Sequence, residues 1–236
     1  MLLFILSLAW GTPSIDEILK KIDQNMSAKS RTASLEMNVQ KGKRIKKYKM
    51  RSHVRGNEAA IEFQAPARDR GTKMLKKEGE LWMFLPSIEK TQKISGHMLR
   101  KGMMGSDMSY EDMLTMNTLF EDYDAQILAE EELGGVPCYK IEMIAKDASV
   151  TYAKRISWVE KEKLVPRKEN LYAVSGMMIK ELLFEDIKDF EDRSYPTKIV
   201  VNDTLQKNTT TTVLFVQIDF TVSLADEFFS RRWLDR

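Results

Sequence analysis

Short strand-like runs recur along most of this 236-residue chain, and they restrict it to a mainly β fold. In the run from Ala33 to Val39, apolar and polar residues alternate, as in a strand with one wet face. Further runs follow at residues 43–56, 59–63, 72–77, 81–85, 90–94, 125–131, 139–145, 153–159, 164–171, 177–184, 198–201 and 211–220. Glycine turns separate them, and no recurrent helices intervene. The pattern predicts one meander of antiparallel strands in a single domain spanning residues 12–236.

Helices are predicted at three places. Ser14 and Glu17 form a capping box before an amphipathic run that continues to about Met26. Two shorter helical interruptions are expected at Tyr110–Met116 and Ala225–Leu234, and Asp107 or Ser109 is the expected cap of the first.

Several strands are apolar on both faces. Leu81, Met83 and Leu85 point one way, while Trp82 and Phe84 point the other way. A single sheet cannot bury both of its faces alone, so a helix layer, a second sheet or a bound apolar ligand has to cover the second face.

Methionine is concentrated in one segment. Six of the fifteen methionines lie between Met98 and Met116. Methionine re-packs easily against irregular apolar partners, although a methionine-rich core is the alternative. Gly96, Gly102 and Gly105 add backbone freedom, so we predict that residues 96–118, called here the methionine segment, form a mobile lid. Together, the methionine segment and the strands that are apolar on both faces predict an apolar cavity. Its expected lipid-binding side chains are Trp82, Phe84, Leu85, Met98, Met103, Met104, Met108, Tyr110 and Met113.

Catalytic and metal-binding signatures are lacking. The chain has one cysteine and two histidines, which excludes a disulfide framework and a cysteine-based zinc site. The sequence has no glycine-rich phosphate loop and no nucleophile elbow. The acidic residues beside the methionines (Asp107, Glu111 and Asp112) are better explained as first-turn helix residues than as a catalytic pair. We therefore expect no cofactor and no enzymatic activity.

The N-terminal run MLLFILSLAWG is apolar and too short to span a bilayer. Ala9 and Gly11 have the spacing that a signal peptidase accepts, so residues 1–11 are interpreted as a signal-peptide remnant of an exported, soluble protein.

Positive charge is concentrated locally although Lys and Arg (37) nearly balance Asp and Glu (35) overall. Lys43, Arg44, Lys46, Lys47 and Lys49 belong to a run of seven basic residues between positions 41 and 51. The run suits docking to an anionic membrane, an acidic partner or nucleic acid, and export removes the last of these. The alternative is a charged hairpin face that prevents edge pairing.

The central sequence resembles a known family. RGTKMLKKEGELWMFLPSIEKTQKI followed by GSDMSYEDM is similar to the outer membrane lipoprotein-sorting-like branch of the LolA/LolB-like superfamily of periplasmic lipoprotein carriers. The matching positions are Arg70, Gly71, Trp82, Pro86, Lys90, Lys93, Arg100 and Gly105–Asp112. The likeness extends over most of residues 14–230. Met104 departs from it, because an aromatic residue often precedes this glycine in the family.

This resemblance implies a curved, unclosed antiparallel sheet, a half-barrel, with helices covering its concave face. It also implies a periplasmic carrier that binds the acyl chains of lipoproteins or other lipids without covalent chemistry. An inner-membrane transporter and an outer-membrane acceptor are the implied partners. The alternative function on the same fold is a lipid- or lipoprotein-sensing accessory module of a membrane exporter.

Overall fold

A computed structural model describes residues 13–114 and 119–235, so the predicted signal-peptide remnant and Met116 lie outside the described residues. The strands are β1 (Ser30–Lys41), β2 (Arg44–Arg55), β3 (Glu58–Ala65), β4 (Lys73–Lys77), β5 (Glu80–Leu85), β6 (Lys90–Ile94), β7 (Tyr123–Leu133), β8 (Val136–Ala145), β9 (Lys154–Glu160), β10 (Pro166–Tyr172), β11 (Met178–Asp189), β12 (Ser194–Asp203) and β13 (Thr209–Asp219). The helices are α1 (Ile15–Met26), α2 (Tyr110–Leu114), α3 (Leu119–Asp122) and α4 (Arg231–Leu234).

All thirteen strands form one antiparallel sheet in the order β6-β5-β4-β3-β2-β1-β13-β12-β11-β10-β9-β8-β7. Two meanders, β1–β6 and β7–β13, are joined where β1 pairs with β13, with Met37 opposite Val213. The two end strands, β6 and β7, do not pair with each other. The predicted curved, unclosed sheet is therefore confirmed.

Helix α1 covers the β7–β13 half of the concave face. It begins with the predicted capping box: the Glu17 N–H donates to Ser14 Oγ (3.3 Å), and the Ser14 N–H donates to a Glu17 carboxylate oxygen (2.8 Å). The helix buries Ile18, Leu19 and Ile22 against side chains of β7, β8 and β9. Apolar spacing along α1 thus fixes which helix face meets the sheet.

Residues 96–114 of the methionine segment cover the β1–β6 half of the concave face. The segment contains two 3₁₀ turns and then α2, which begins at Tyr110 as predicted. Met103 and Tyr110 are buried against Met37, Phe63 and Met83 of the sheet. Helix α1 and the methionine segment therefore each cover one half of the concave face.

The convex face carries a different cover, the C-terminal segment (residues 224–234). Phe229 and Leu234 are fully buried against Ala60 and Leu75, and Trp82 and Phe84 pack on the same cluster. This placement differs from the prediction that Trp82 and Phe84 line the cavity. Strand alternation turns both side chains away from Leu81 and Met83, and the chain's own C-terminal segment supplies the missing cover.

Candidate functional site

An apolar cavity of about 320 Å³ lies between the concave face, α1 and the methionine segment. Its volume falls within the range of about 300–1,000 Å³ that is usual for small-molecule sites. Met37 and Met50 line it from the first meander, and Val213 and Phe184 line it from the second. The cavity therefore spans the β1–β13 junction.

The structure distributes the predicted lipid-binding residues over four kinds of position. Met103, Met108 and Met113 line the cavity. Leu85, Met104 and Tyr110 pack in the adjacent core without lining it, and Met98 is 37% exposed. Trp82 and Phe84 lie on the convex face.

Backbone contacts hold the methionine segment in a compact loop. Met103 N–H donates to the Met108 carbonyl (2.7 Å), and Tyr48 Oη donates to the Met104 carbonyl (3.2 Å). A Cβ on Gly102 would lie 2.1 Å from the Ser106 carbonyl oxygen, so only glycine fits this close approach. Ser109 is the cap of α2: its N–H donates to Asp112 (2.6 Å), and the Asp112 N–H donates to Ser109 Oγ (3.2 Å).

Asp107 anchors the methionine segment to β13. Its carboxylate accepts hydrogen bonds from Thr209 Oγ1 and Thr211 Oγ1, both at 2.6 Å, and its N–H donates to Thr211 Oγ1 (2.9 Å). Asp107 and Thr211 are both buried. Ser109 and Asp107 were the two expected caps of α2. Ser109 caps the helix, whereas Asp107 connects the methionine segment to β13.

A buried polar network borders the other end of the cavity. Lys180 forms an ion pair with Asp112, and Tyr152 Oη donates to the same carboxylate. Burial and the neighbouring Asp112 charge raise the pKa of Tyr152 far above its usual range, so the phenol stays protonated and remains a donor.

A second ion pair lies beside this network. Arg155 contacts Glu169 at 3.2 Å, and its Nε donates to Tyr123 Oη at 3.1 Å. Burial raises the pKa of the Glu169 carboxyl, and the Arg155 charge opposes that rise.

Strand alternation in the sequence already indicates that these charged residues face the core. Lys180 shares the alternation phase of Leu182 and Phe184 in β11, and Glu169 shares that of Leu171 in β10. A charge in the apolar phase of a strand faces the core, where it needs a partner. The identity of that partner depends on contacts between distant parts of the chain.

The predicted docking residues are all exposed on the β1–β2 hairpin. Lys49 makes one exposed ion pair with Glu36 at 3.3 Å. Strand β3 pairs with β2 only from Lys49 onward, so Arg44–Tyr48 project beyond the β3 edge. The Gly42 N–H donates to the Asn208 carbonyl (2.8 Å), which places the β12–β13 turn beside this hairpin.

Exposed apolar side chains lie at the same end of the sheet. Ile45 is 56% exposed beside the basic residues, and Leu205 is 62% exposed in the adjacent turn. The five predicted docking residues, together with Ile45 and Leu205, form a surface that is here called the hairpin rim. Its mixture of basic and apolar side chains suits a lipid–water interface. Within the described residues, no helix combines the length and apolar character needed to cross a membrane.

Comparisons with known proteins agree with this architecture. The chain is similar to a DUF1329 family protein from Desulfovibrio piger, with a TM-score of 0.83 and 23% identity over 93% of this chain and 97% of that one. It is also similar to a candidate outer membrane lipoprotein-sorting protein domain from Vibrio parahaemolyticus (TM-score 0.82, 22% identity, 94% and 98% coverage). A LolA superfamily protein from Nitrosomonas europaea has a TM-score of 0.77 and 24% identity over 94% of this chain and 99% of that one.

A family model described as "-like: Uncharacterized protein" matches residues 55–236. No curated protein matches the chain. The resemblance inferred from the central motif is confirmed for the fold, because each of these structures matches at least 93% of this chain with a TM-score of 0.77 or higher. The chain therefore belongs to the family that this model describes, and its fold is that of the LolA superfamily and of outer membrane lipoprotein-sorting proteins.

Proposed function

We propose that this protein is a periplasmic carrier that binds an acyl chain of a lipoprotein or another lipid in the cavity and moves it between membranes. The observation that carries the proposal is the apolar cavity of about 320 Å³ beneath a methionine-rich cover. The similarity to a lipoprotein-sorting protein domain and to a LolA superfamily protein supports the same function.

The energetics of transfer explain why a cavity is needed. Removing an acyl chain from water is worth about 0.8 kcal/mol per methylene, or roughly 12 kcal/mol for a sixteen-carbon chain. Passage through water without shielding would therefore be very slow. Met103, Met108 and Met113 can re-pack around chains of different shape, which favours both loading and release.

Filling the cavity provides the direct test. We expect Val213→Phe to weaken binding of a fluorescent fatty-acid probe by about tenfold or more, because the added ring occupies space that the chain needs. Val213 lines the cavity, whereas Val216 on the same strand is 65% exposed. Val216→Phe is therefore the matched control and should bind the probe as the unmodified protein does. Thermal unfolding would verify that both variants are folded.

Equal probe binding by the two variants would contradict the cavity as the lipid site. Vesicle-to-vesicle transfer of a labelled lipid then separates the two candidate functions. Transfer that depends on an open cavity supports a carrier. Binding without transfer favours the lipid-sensing accessory module.

Membrane docking is assigned to the hairpin rim. Reversing Lys43, Lys46 and Lys47 to Glu should reduce association with anionic vesicles at low salt by about tenfold or more, since each nearby lysine contributes about 1 kcal/mol. High salt should remove most of the difference. Probe affinity should be unchanged, because these side chains point to solvent and do not line the cavity.

The control carries the same charge change elsewhere. Lys29, Lys90 and Lys101 are exposed and lie outside the hairpin rim, so their reversal to Glu should affect vesicle association much less. If both triple variants lose association equally, net charge and not the hairpin rim governs docking. If neither loses it, an acidic protein partner becomes the better explanation for the basic run.

A further inference from the structure

Arg31 is a cation at the wall of the apolar cavity. It extends from the concave face of β1, and its Cζ lies 5.6 Å from the ring centroid of Tyr195 and 5.5 Å from that of Phe215. Its Nη1 donates to Tyr195 Oη at 2.6 Å. All three side chains line the cavity. Two aromatic rings thus hold the guanidinium in a fixed position at the cavity wall.

The charge of Arg31 lacks the carboxylate partner that other cavity cations have. Lys180 is paired with Asp112, and Arg155 is paired with Glu169. Over residues 13–114 and 119–235, Arg31 forms no ion pair, and its buried Nε has no hydrogen-bond partner. An unsatisfied charged donor in an apolar site is costly, so the site favours an anion that completes it.

Ser52 adds a second unsatisfied donor on the next strand. Its hydroxyl is buried, lines the cavity and has no hydrogen-bond partner among the described residues. Ala33 lies opposite Ser52 on β1, and Ile61 lies opposite it on β3, so its cross-strand neighbours on the sheet are apolar. The strand register places Ser52 diagonally across from Arg31, at a typical Cα separation of about 7–8 Å. One small anionic group can reach both donors.

We propose that the cavity selects anionic amphiphiles, with a carboxylate or phosphate oxygen accepting hydrogen bonds from Arg31 Nε and Ser52 Oγ. The acyl chain then extends along β1 over Leu35 and Met37, which also line the cavity. This inference rests on the proposed lipid-binding function and adds the chemical class of the ligand. Charge-assisted hydrogen bonds of this kind orient a ligand as well as stabilise it.

Three ligands with the same alkyl chain test the selection: dodecanoic acid, dodecyl phosphate and dodecanol. Each would compete with an uncharged fluorescent probe bound to the full protein. At least one of the anions should bind about tenfold more tightly than dodecanol, as expected from a hydrogen bond to a charged group. A preference for the phosphate identifies a phospholipid-like head, and a preference for the carboxylate identifies a fatty-acid-like head.

Arg31→Met should abolish the preference for anions while dodecanol binding is retained, and Ser52→Ala should reduce the preference without removing it. Arg51→Met is the matched control, because Arg51 is exposed on β2 and does not line the cavity. Arg31→Lys keeps the charge and should retain part of the preference if Arg31→Met does not fold.

Two outcomes would overturn the inference: equal affinity of the unmodified protein for all three ligands, or an unchanged anion preference in Arg31→Met. Either result leaves the lipid-binding cavity intact. Failure of the uncharged probe and of dodecanol to bind would instead count against the proposed function itself. The two failures are therefore distinguishable.

Discussion

Asp107→Ala is expected to release the methionine segment from β13 and to lower the free energy of unfolding by about 3 kcal/mol. The carboxylate accepts two hydrogen bonds of 2.6 Å from Thr209 and Thr211, and bonds to charged groups contribute about 1.5–3 kcal/mol each. Thr211 is fully buried, so the change leaves a buried hydroxyl without its acceptor. Urea unfolding measures the loss in stability.

Hydrogen exchange tests whether the loss is localised. Amides of residues 96–114 should exchange faster in Asp107→Ala, with little change in β8 and β9, and added lipid should slow exchange in the unmodified protein. Asp124→Ala provides a control because Asp124 is exposed on β7. Unchanged stability and uniform protection in Asp107→Ala would show that the anchor and the mobile-lid prediction are both mistaken.

Arg155→Met is expected to lower the free energy of unfolding by about 3–5 kcal/mol, because it leaves the buried Glu169 carboxyl without its partner. The side chains of the pair are only 11% and 6% exposed. Adding Glu169→Leu should recover much of this loss, since apolar side chains of similar size can replace a buried ion pair at little cost. A double-mutant cycle measured by urea unfolding gives the coupling energy.

An exposed ion pair supplies the contrast. Lys49 and Glu36 lie 3.3 Å apart with side chains 66% and 38% exposed, so Lys49→Met should cost less than about 1 kcal/mol. A loss in Arg155→Met as small as that in Lys49→Met would mean that water reaches the Arg155–Glu169 pair.

Local patterns were sufficient to predict most of the secondary structure. The capping box at Ser14 predicted the start of α1, and alternation between Ala33 and Val39 predicted which residues of β1 are buried. Both depend on contacts within a few residues along the chain, which sequence periodicity records directly. The strand-like runs predicted the sheet for the same reason.

The chain segments that pack on each face of the sheet were harder to predict. Alternation in β5 correctly separates Leu81 and Met83 from Trp82 and Phe84, but it does not say which set lies on the concave face. The decision depends on the C-terminal segment: Lys73 Nζ donates to the Trp233 carbonyl and Lys77 Nζ to the Phe229 carbonyl, each at 3.0 Å. These contacts join residues more than one hundred and fifty positions apart.

The candidate site depends even more on distant contacts. Met103 and Met108 were identifiable because methionine is concentrated locally, whereas Lys180 and Asp112 meet only through the tertiary fold. Arg31 stands among alternating residues at the start of β1, and only the positions of Tyr195 and Phe215 reveal its setting. Spacing along the sequence contains no record of these neighbours.

The single junction between β1 and β13 has a consequence for the order of assembly. All other strand pairs in the described sheet join strands that are consecutive in the sequence. Each meander can therefore form from contacts of low sequence separation. Pairing Lys41 with Thr209 closes by far the longest loop and comes late on entropic grounds. Because Met37 and Val213 face each other across that junction, the cavity wall is incomplete until the last strand is in place. A nascent chain therefore completes the wall of this cavity only after β13 has been synthesised.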